Sequence, residues 1–232
     1  LAAVNLDGVL LNDTFSPVIH RFVTRRGGTY TVDVERAVFS QPQLVACGVL
    51  GAAVGSDAAP EQIRAEYFAE REEYLAERPV RVLEGAVELV ARLRSLGLRT
   101  VCYGGLERGH FDRHLGAHAA LFDDPAYVCT NDFRPGVREI AELFGLPCDR
   151  TLFIDDVAGV GQAAQESGAS FIGHPSDFEH GFQRSVMRAL GVRHLVDGPD
   201  RIDEELIRLV DAEAAARAAG RPGALCGRPA GV

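Results

Sequence analysis

Apolar and polar positions along the chain follow two different rhythms, and the change between them divides the sequence. Leu1, Ala2, Ala3 and Val4 form a short apolar run that leads into Asn5 and Asp7 around Leu6, followed by Gly8. This reads as a buried strand ending in a sharp turn, with two polar side chains at its carboxyl end. From Ser16 to Arg78 only helical spacings appear. Ser16 as N-cap and Pro17 in the first turn open a helix carrying Val18, Ile19, Phe22 and Val23, which Gly27 and Gly28 stop. Val32 to Phe39 gives a second helix. Pro42 to Val54 gives a third, so apolar that it should be packed on most sides, and Glu61 to Glu77 after Pro60 gives a fourth with a solvated Glu and Arg face.

After Pro79 the rhythm alternates. Helices over Ala86–Leu96, Arg108–Leu115, Pro135–Phe144, Val157–Ser167, Asp177–Leu190 and Arg201–Ala212 separate strands over Leu98–Tyr103, Tyr127–Cys129, Thr151–Ile154, Ser170–Ile172 and His194–Val196. Single helices between strands imply an α/β fold, a Rossmann-like parallel sheet flanked by helices with right-handed crossovers. Residues 1–14 and 80–212 are therefore assigned to the α/β core and 15–79 to an inserted all-helical cap of about 65 residues, too small to rely on a core of its own. The Ala-, Gly-, Arg- and Pro-rich stretch 213–232 reads as a tail without fixed structure.

Composition narrows the function classes. At 232 residues and 47% apolar side chains the chain can bury a full core. A net charge of −9 argues against nucleic acid. No window reaches the roughly 18 apolar residues of a spanning helix. The first residues lack a basic segment and hold Asp7 in an apolar run, so no signal peptide is read and a cytoplasmic location is expected, with no membrane partner. Cys47, Cys102, Cys129, Cys148 and Cys226 are odd in number and lack a C-x-x-C, which fits reduced, mostly buried thiols better than disulfides or zinc. All 24 basic residues are arginine, so lysine chemistry is excluded and an anion must be met by a planar guanidinium fork.

Polar residues at the strand ends supply the candidate chemistry, because open α/β sheets bind ligands at the carboxyl ends of their strands. The stretch V-N-L-D-G-V-L-L-N-D-T from Val4 to Thr14 resembles motif I of the haloacid dehalogenase (HAD) superfamily, D-x-D-G-[VT]-[LI]-x-D-[ST], with Asn5 where that family has its nucleophilic aspartate. The helix run E-G-A-V-E-L-V-A-R-L-R-S-L-G-L-R-T is similar to the helix before motif II of capped HAD phosphatases and phosphomutases. Gly104 then stands where the family places Ser or Thr. Arg134-Pro135 matches the basic residue of motif III, and F-I-D-D-V-A-G-V-G-Q-A-A-Q-E-S-G-A resembles motif IV, with Asp156 on the metal-binding aspartate and Asp155 beside it.

The resemblance implies that position 5 would attack phosphorus and Asp7 would serve as acid and base. It also implies that Mg²⁺ would be held among Asn5, Asp7, Asp155 and Asp156, and that Arg134 would steady the phosphoryl group of a small anionic metabolite; Gly104 and Gly105 either form a strand-ending turn only or cradle an anion with their backbone N–H groups. An amide is a very poor nucleophile, and losing its charge weakens Mg²⁺ binding while easing the approach of an anion. Three readings follow: a naturally diverged binder or enzyme of altered chemistry; an ordinary phosphatase inactivated by an introduced Asn5; and a structural or interaction protein. The spread of departures to Gly104 and Val160 favours the first. His110, His114 and His118 lie four apart and invite a metal site, but Gly116 stops the helix and no carboxylate shares their register, so they are expected on the surface. Arg25 and Arg26 are expected at a solvated helix end, and oligomeric state is not legible.

Overall fold

The computed structural model describes residues 1–219. Ala2–Asn5 forms strand β1, with every side chain buried. It pairs in parallel with β2 (Thr100–Gly104) on one side and with β4 (Leu152–Asp155) on the other, in the registers Asn5 to Tyr103 and Val4 to Ile154. With β3 (Tyr127–Cys129) and β5 (Ser170–Gly173) at the edges, the sheet order is β3-β2-β1-β4-β5, all parallel. The two-residue period of a strand sends Ala2 and Val4 into one apolar cluster and Leu1 and Ala3 into the other, so both faces are covered. Helices α5 (Ala86–Ser95), α6 (Arg108–Leu115) and α10 (Glu204–Ala219) supply the first face, and α7 (Val137–Leu143) and α8 (Ala158–Ser167) the second. α9 (Gln183–Ala189) packs on α8.

Four helices intervene between β1 and α5: α1 (Ser16–Arg25), α2 (Val32–Val38), α3 (Gln43–Ala53) and α4 (Pro60–Glu77). They enclose an apolar cluster of their own around Phe22, Leu50, Ile63 and Tyr67. The chain leaves and re-enters the sheet layer through two segments that run antiparallel: Leu11 bridges Val82, Leu83 N–H donates to Leu10 O at 2.9 Å, and Arg81 N–H donates to Asn12 Oδ1 at 2.7 Å. The insertion is thus joined to the sheet layer by two hydrogen-bonded segments that meet in a single antiparallel bridge.

A second tie is made by Glu35, fully buried on α2. Its carboxylate accepts from Phe182 N–H at 2.9 Å, Gln183 Nε2 at 2.8 Å and Tyr30 Oη at 2.5 Å, and Gln183 Oε1 accepts in turn from Ala158 N–H at 2.7 Å in the first turn of α8. Replacing Glu35 with Ala leaves one buried and two half-buried donors without this partner, so we expect a loss of about 3 kcal/mol, read as a lower denaturant midpoint.

Several sequence expectations are corrected. Ser16 opens α1 but does not cap it; Asp13 Oδ1 does, accepting from Phe15 N–H at 2.8 Å and Ser16 N–H at 3.0 Å. α3 is not packed on most sides, since Leu44 and Val45 are 40% and 52% exposed. α4 is not a fully solvated face: Glu70 is buried against Arg21 (3.1 Å) and Arg26 (2.6 Å), and Arg71 is buried with its guanidinium donating to Thr14 Oγ1 at 2.9 Å. Arg26 is therefore bound within the insertion, while Arg25 stays largely exposed with only long contacts to Glu70 and Glu73 at 3.8 Å. His194–Val196 is no strand; a single bridge from Leu195 to Gly173 marks the place. The helix expected over Asp177–Leu190 is confined to Gln183–Ala189, the preceding Gly181 lying in a turn. The tail expectation fails over its first part, as α10 continues to Ala219; residues 220–232 lie outside the described residues. No helix among the described residues is long and apolar enough to cross a membrane.

Candidate active site

Because β1 is central, its carboxyl end is flanked by the ends of β2 and β4, and the turn after it must be tight. Gly8 supplies that turn at φ +90°, donating N–H to Leu11 O at 2.9 Å. A Cβ at Gly8 would lie 2.1 Å from Asp156 Oδ2, so the position is closed to any side chain. For Gly8→Ala we expect at least about 2 kcal/mol of destabilisation, from the left-handed backbone and the displaced carboxylate together, measurable by thermal unfolding. His174, buried and held neutral because burial lowers its pKa, donates from Nδ1 to Gly8 O at 2.7 Å and fixes the outer side of the same turn.

Asn5 sits 4% exposed at the strand end. Its Nδ2 donates to Asp7 O at 2.7 Å and to Asp156 Oδ1 at 2.8 Å. The amide orientation follows from the partners: a backbone carbonyl only accepts, so nitrogen must face it. Burial, with the adjacent Asp155 charge, pushes the Asp156 carboxyl well above the usual carboxylate range. Asp155 is occupied elsewhere. Its Oδ2 accepts from Tyr103 Oη, and its Oδ1 accepts from Val157 N–H at 2.7 Å at the start of α8. Thus Asp156 faces Asn5 while Asp155 is spent on Tyr103 and on capping α8.

This arrangement does not suit Mg²⁺. The atom that Asn5 turns toward Asp7 O and Asp156 is an N–H donor, which satisfies both oxygens as a cation would. Turning the amide to offer oxygen would set three acceptors against one another and leave Asp156 as the one carboxylate directed at the group, whereas Mg²⁺ prefers several oxygen ligands including carboxylate. Among the described residues no three His, Cys, Asp or Glu side chains gather into a metal-holding cluster.

Asp7 takes a partner from α6. His110 Nε2 lies 2.8 Å from Asp7 Oδ1, with the two side chains 12% and 9% exposed. Nε2 is the proton-bearing nitrogen if Asp7 is ionised, since a carboxylate only accepts. The surface expectation for His110 is therefore overturned; the register argument looked for an acid within the helix, and the acid comes from 103 residues away. His114 stacks edge-on to His110 with centroids 4.9 Å apart, and burial, then the His110 charge, lower its pKa.

The β2 end shows why glycine stands at positions 104 and 105. A Cβ on Gly104 would be 3.0 Å from Tyr127 Oη and 3.4 Å from Leu6 Cβ, and Gly104 O accepts from Thr130 N–H at 2.8 Å and Thr130 Oγ1 at 3.1 Å. Tyr127, donating to Leu106 O at 2.6 Å, takes the space that a hydroxyl-bearing side chain would use. A Cβ on Gly105 would lie 2.4 Å from an Arg134 guanidinium nitrogen. Gly105 is thus the platform on which Arg134 rests. Neither Asp132 nor Glu139 forms an ion pair with Arg134 among the described residues, and Arg134 Nε is buried without a partner.

Asn5, Asp7, Gly105, Arg134 and Asp156 share one cleft of about 110 Å³, which the insertion roofs with Phe15, Ile19, Tyr67 and Phe68. Gly104 and Asp155 lie behind its surface. The roof is tied down where Gln43 Nε2 donates to Gly105 O at 3.0 Å and Gln43 N–H to Asn131 Oδ1 at 3.0 Å. Tyr103, Tyr127 and His174 carry no site signal in the sequence, and His110 enters the site through Asp7 rather than as the metal ligand its spacing invites.

A parallel sheet with a helical insertion after the first strand and polar residues at the central strand ends has counterparts among solved structures. The chain has the fold of the HAD-family hydrolases. It is similar to β-phosphoglucomutase from Clostridium difficile at 13% identity, covering 93% of this chain and 98% of that one with a TM-score of 0.67. It is similar to a HAD hydrolase, family IA, variant 3, from Entamoeba histolytica at 13% identity, covering 91% and 98% with a TM-score of 0.66. A HAD family hydrolase from Deinococcus radiodurans R1, solved with bound phosphate and sodium, aligns at 20% identity over 92% and 95% with a TM-score of 0.57. No protein-family model matches the sequence. No curated protein matches it either. At such identities the likeness establishes fold; function must be argued from the site.

Proposed function

We propose that the chain binds a small anionic, phosphorylated metabolite in the cleft between the helical insertion, residues 15–79, and the α/β core, residues 1–14 and 80–212, and that aspartyl-phosphate chemistry is lost or altered. The observation that carries this reading is Arg134: an arginine resting on a glycine at the mouth of β2, free of carboxylate partners among the described residues, with a buried donor still unused. A guanidinium left in that condition gains most from an anion that accepts two hydrogen bonds. Asn5 cannot serve as the attacking carboxylate, and Gly104 offers no hydroxyl to hold a phosphoryl oxygen.

Thermal unfolding with inorganic phosphate and a panel of phosphate esters in metal-free buffer tests binding, because a ligand of the folded state must raise the apparent stability. Hydrolysis of generic phosphate esters with Mg²⁺ should stay near background. Robust Mg²⁺-dependent turnover would overturn the altered-chemistry reading, and a flat thermal panel would favour an interaction role.

The Asp7–His110 contact supports one variant of this proposal, an enzyme of different chemistry in which Asp7 exchanges a proton with the ligand and His110 positions it. His110→Asn would then lower turnover of any substrate found and shift its pH profile, while leaving anion binding at Arg134 in place.

A further inference from the structure

The polar and apolar atoms of the cleft are sharply separated. Its charged side chains, Asp7, Arg134 and Asp156, all stand on the sheet side beside Asn5. The opposite walls are carbon: Ile19, Val38, Phe39, Leu50 and Phe68 from the insertion, with Leu106 reaching up from the core. Polar side chains in those walls are few, and one of them is committed, since Gln43 Nε2 is bound to Gly105 O at 3.0 Å. Three are uncommitted: Gln41, whose amide makes no side-chain hydrogen bond among the described residues, and Tyr67 Oη and Ser40 Oγ, which are buried with no hydrogen-bond partner. Burial pushes the Tyr67 phenol upward, so it remains a donor. Ser40 also carries the one positive φ of a non-glycine residue among the described residues, +60°, in the turn that follows α2 and faces Gly159 of α8. Such backbone strain persists where the surroundings over-determine it.

A sugar phosphate brings several hydroxyls, each of which leaves water on entering. Unpaired in such walls, each costs on the order of tenfold in affinity. A few hydroxyls could be met by Tyr67, Ser40 and Gln41, and the rest would face carbon. An apolar body meets the opposite balance, since its transfer out of water is favourable in proportion to the area covered. We infer that the ligand is an amphiphilic anion: a phosphate monoester head at Arg134, carried on an aromatic or branched aliphatic body that fills the Ile19–Phe39–Phe68–Leu106 walls, with at most a few hydrogen-bonding groups for Tyr67, Ser40 and Gln41. The inference rests on the anion reading above and adds the chemical class of the body, which the charged floor alone leaves open.

Isothermal titration calorimetry in metal-free buffer with four probes tests it: 1-naphthyl phosphate, glucose 6-phosphate, inorganic phosphate and 1-naphthol. The expected result is that 1-naphthyl phosphate binds at least about tenfold more tightly than glucose 6-phosphate or either separate half, with a negative heat-capacity change from apolar burial. Glucose 6-phosphate binding as tightly as 1-naphthyl phosphate would overturn the inference while leaving the anion reading standing. Binding of 1-naphthol as tight as that of its phosphate would overturn both, and so would the absence of binding by every phosphate. Phe68→Gln, at a half-buried wall position, should collapse the preference to within about twofold with the affinity for inorganic phosphate unchanged. Should that variant unfold, Leu106→Gln on the core side reads out the same ratio, and an unchanged preference in a folded Leu106→Gln protein would also overturn the inference.

Discussion

Asn5→Asp is expected to make the stability of this protein depend on a divalent cation, which the unsubstituted chain should not. In the present arrangement one amide nitrogen satisfies Asp7 O at 2.7 Å and Asp156 Oδ1 at 2.8 Å. An aspartate at position 5 replaces that donor with a second carboxylate facing the first, in a pocket where both residues are at most 5% exposed. The loss of two buried hydrogen bonds and the gain of a like-charge contact should cost about 3–5 kcal/mol in the presence of a chelator. With Mg²⁺ present the same three oxygens become a plausible ligand set, and at a concentration 100 times its Kd the cation restores about 2.7 kcal/mol. The check is a thermal scan of both proteins in chelator and in Mg²⁺. A variant as stable as its parent in chelator, or a parent with an equal Mg²⁺ response, would show that the amide does not stand in for a cation. Phosphatase activity is a separate readout: because Tyr127 Oη closes the space beside Gly104, Asn5→Asp alone should remain a poor phosphatase, and strong activity would identify a lightly disabled one.

The layout of the fold was legible because it is written in local periodicity. Alternating helical spacing and short apolar runs placed β1 to β5 and most helices close to their observed limits, and the order of motifs placed Asn5, Arg134 and Asp156 around one cleft. What stayed illegible depends on pairs distant in the chain. Glu70 and Arg71 sit in a run of charges that looks solvated, and only their partners Arg21, Arg26 and Thr14, between 44 and 57 residues away, make burial possible. The Asp7–His110 contact joins a strand end to a helix through no pattern that either segment carries. Gly104 read as a missing hydroxyl, whereas the reason for it is Tyr127 on the neighbouring strand. The apolar lining of the cleft's roof was equally hidden, since helicity says nothing about which side chains of α1 to α4 turn toward the sheet.

Arg134→Gln is expected to abolish the response to anions with little effect on the fold. The guanidinium packs on Gly105 and has an unused buried donor, but no carboxylate is tied to it among the described residues, so its removal breaks no ion pair in the unliganded protein. Glutamine keeps part of the volume and one donor group while losing the charge and the planar fork. A charge-assisted bond to an anion in such a site is worth roughly 1.5–3 kcal/mol, so affinity for inorganic phosphate should fall about 10- to 150-fold. The thermal shift caused by phosphate should therefore vanish at concentrations that shift the parent protein, with the unliganded midpoint moving by no more than about 3 °C. An unliganded midpoint that drops steeply would show that Arg134 serves the fold by neutralising Asp155, whose carboxyl it holds lower than burial alone would. An unchanged phosphate response would move the anion site elsewhere. The two variants also separate the roles at the strand ends, because Asn5→Asp changes what the site asks of a cation and Arg134→Gln changes what it offers an anion.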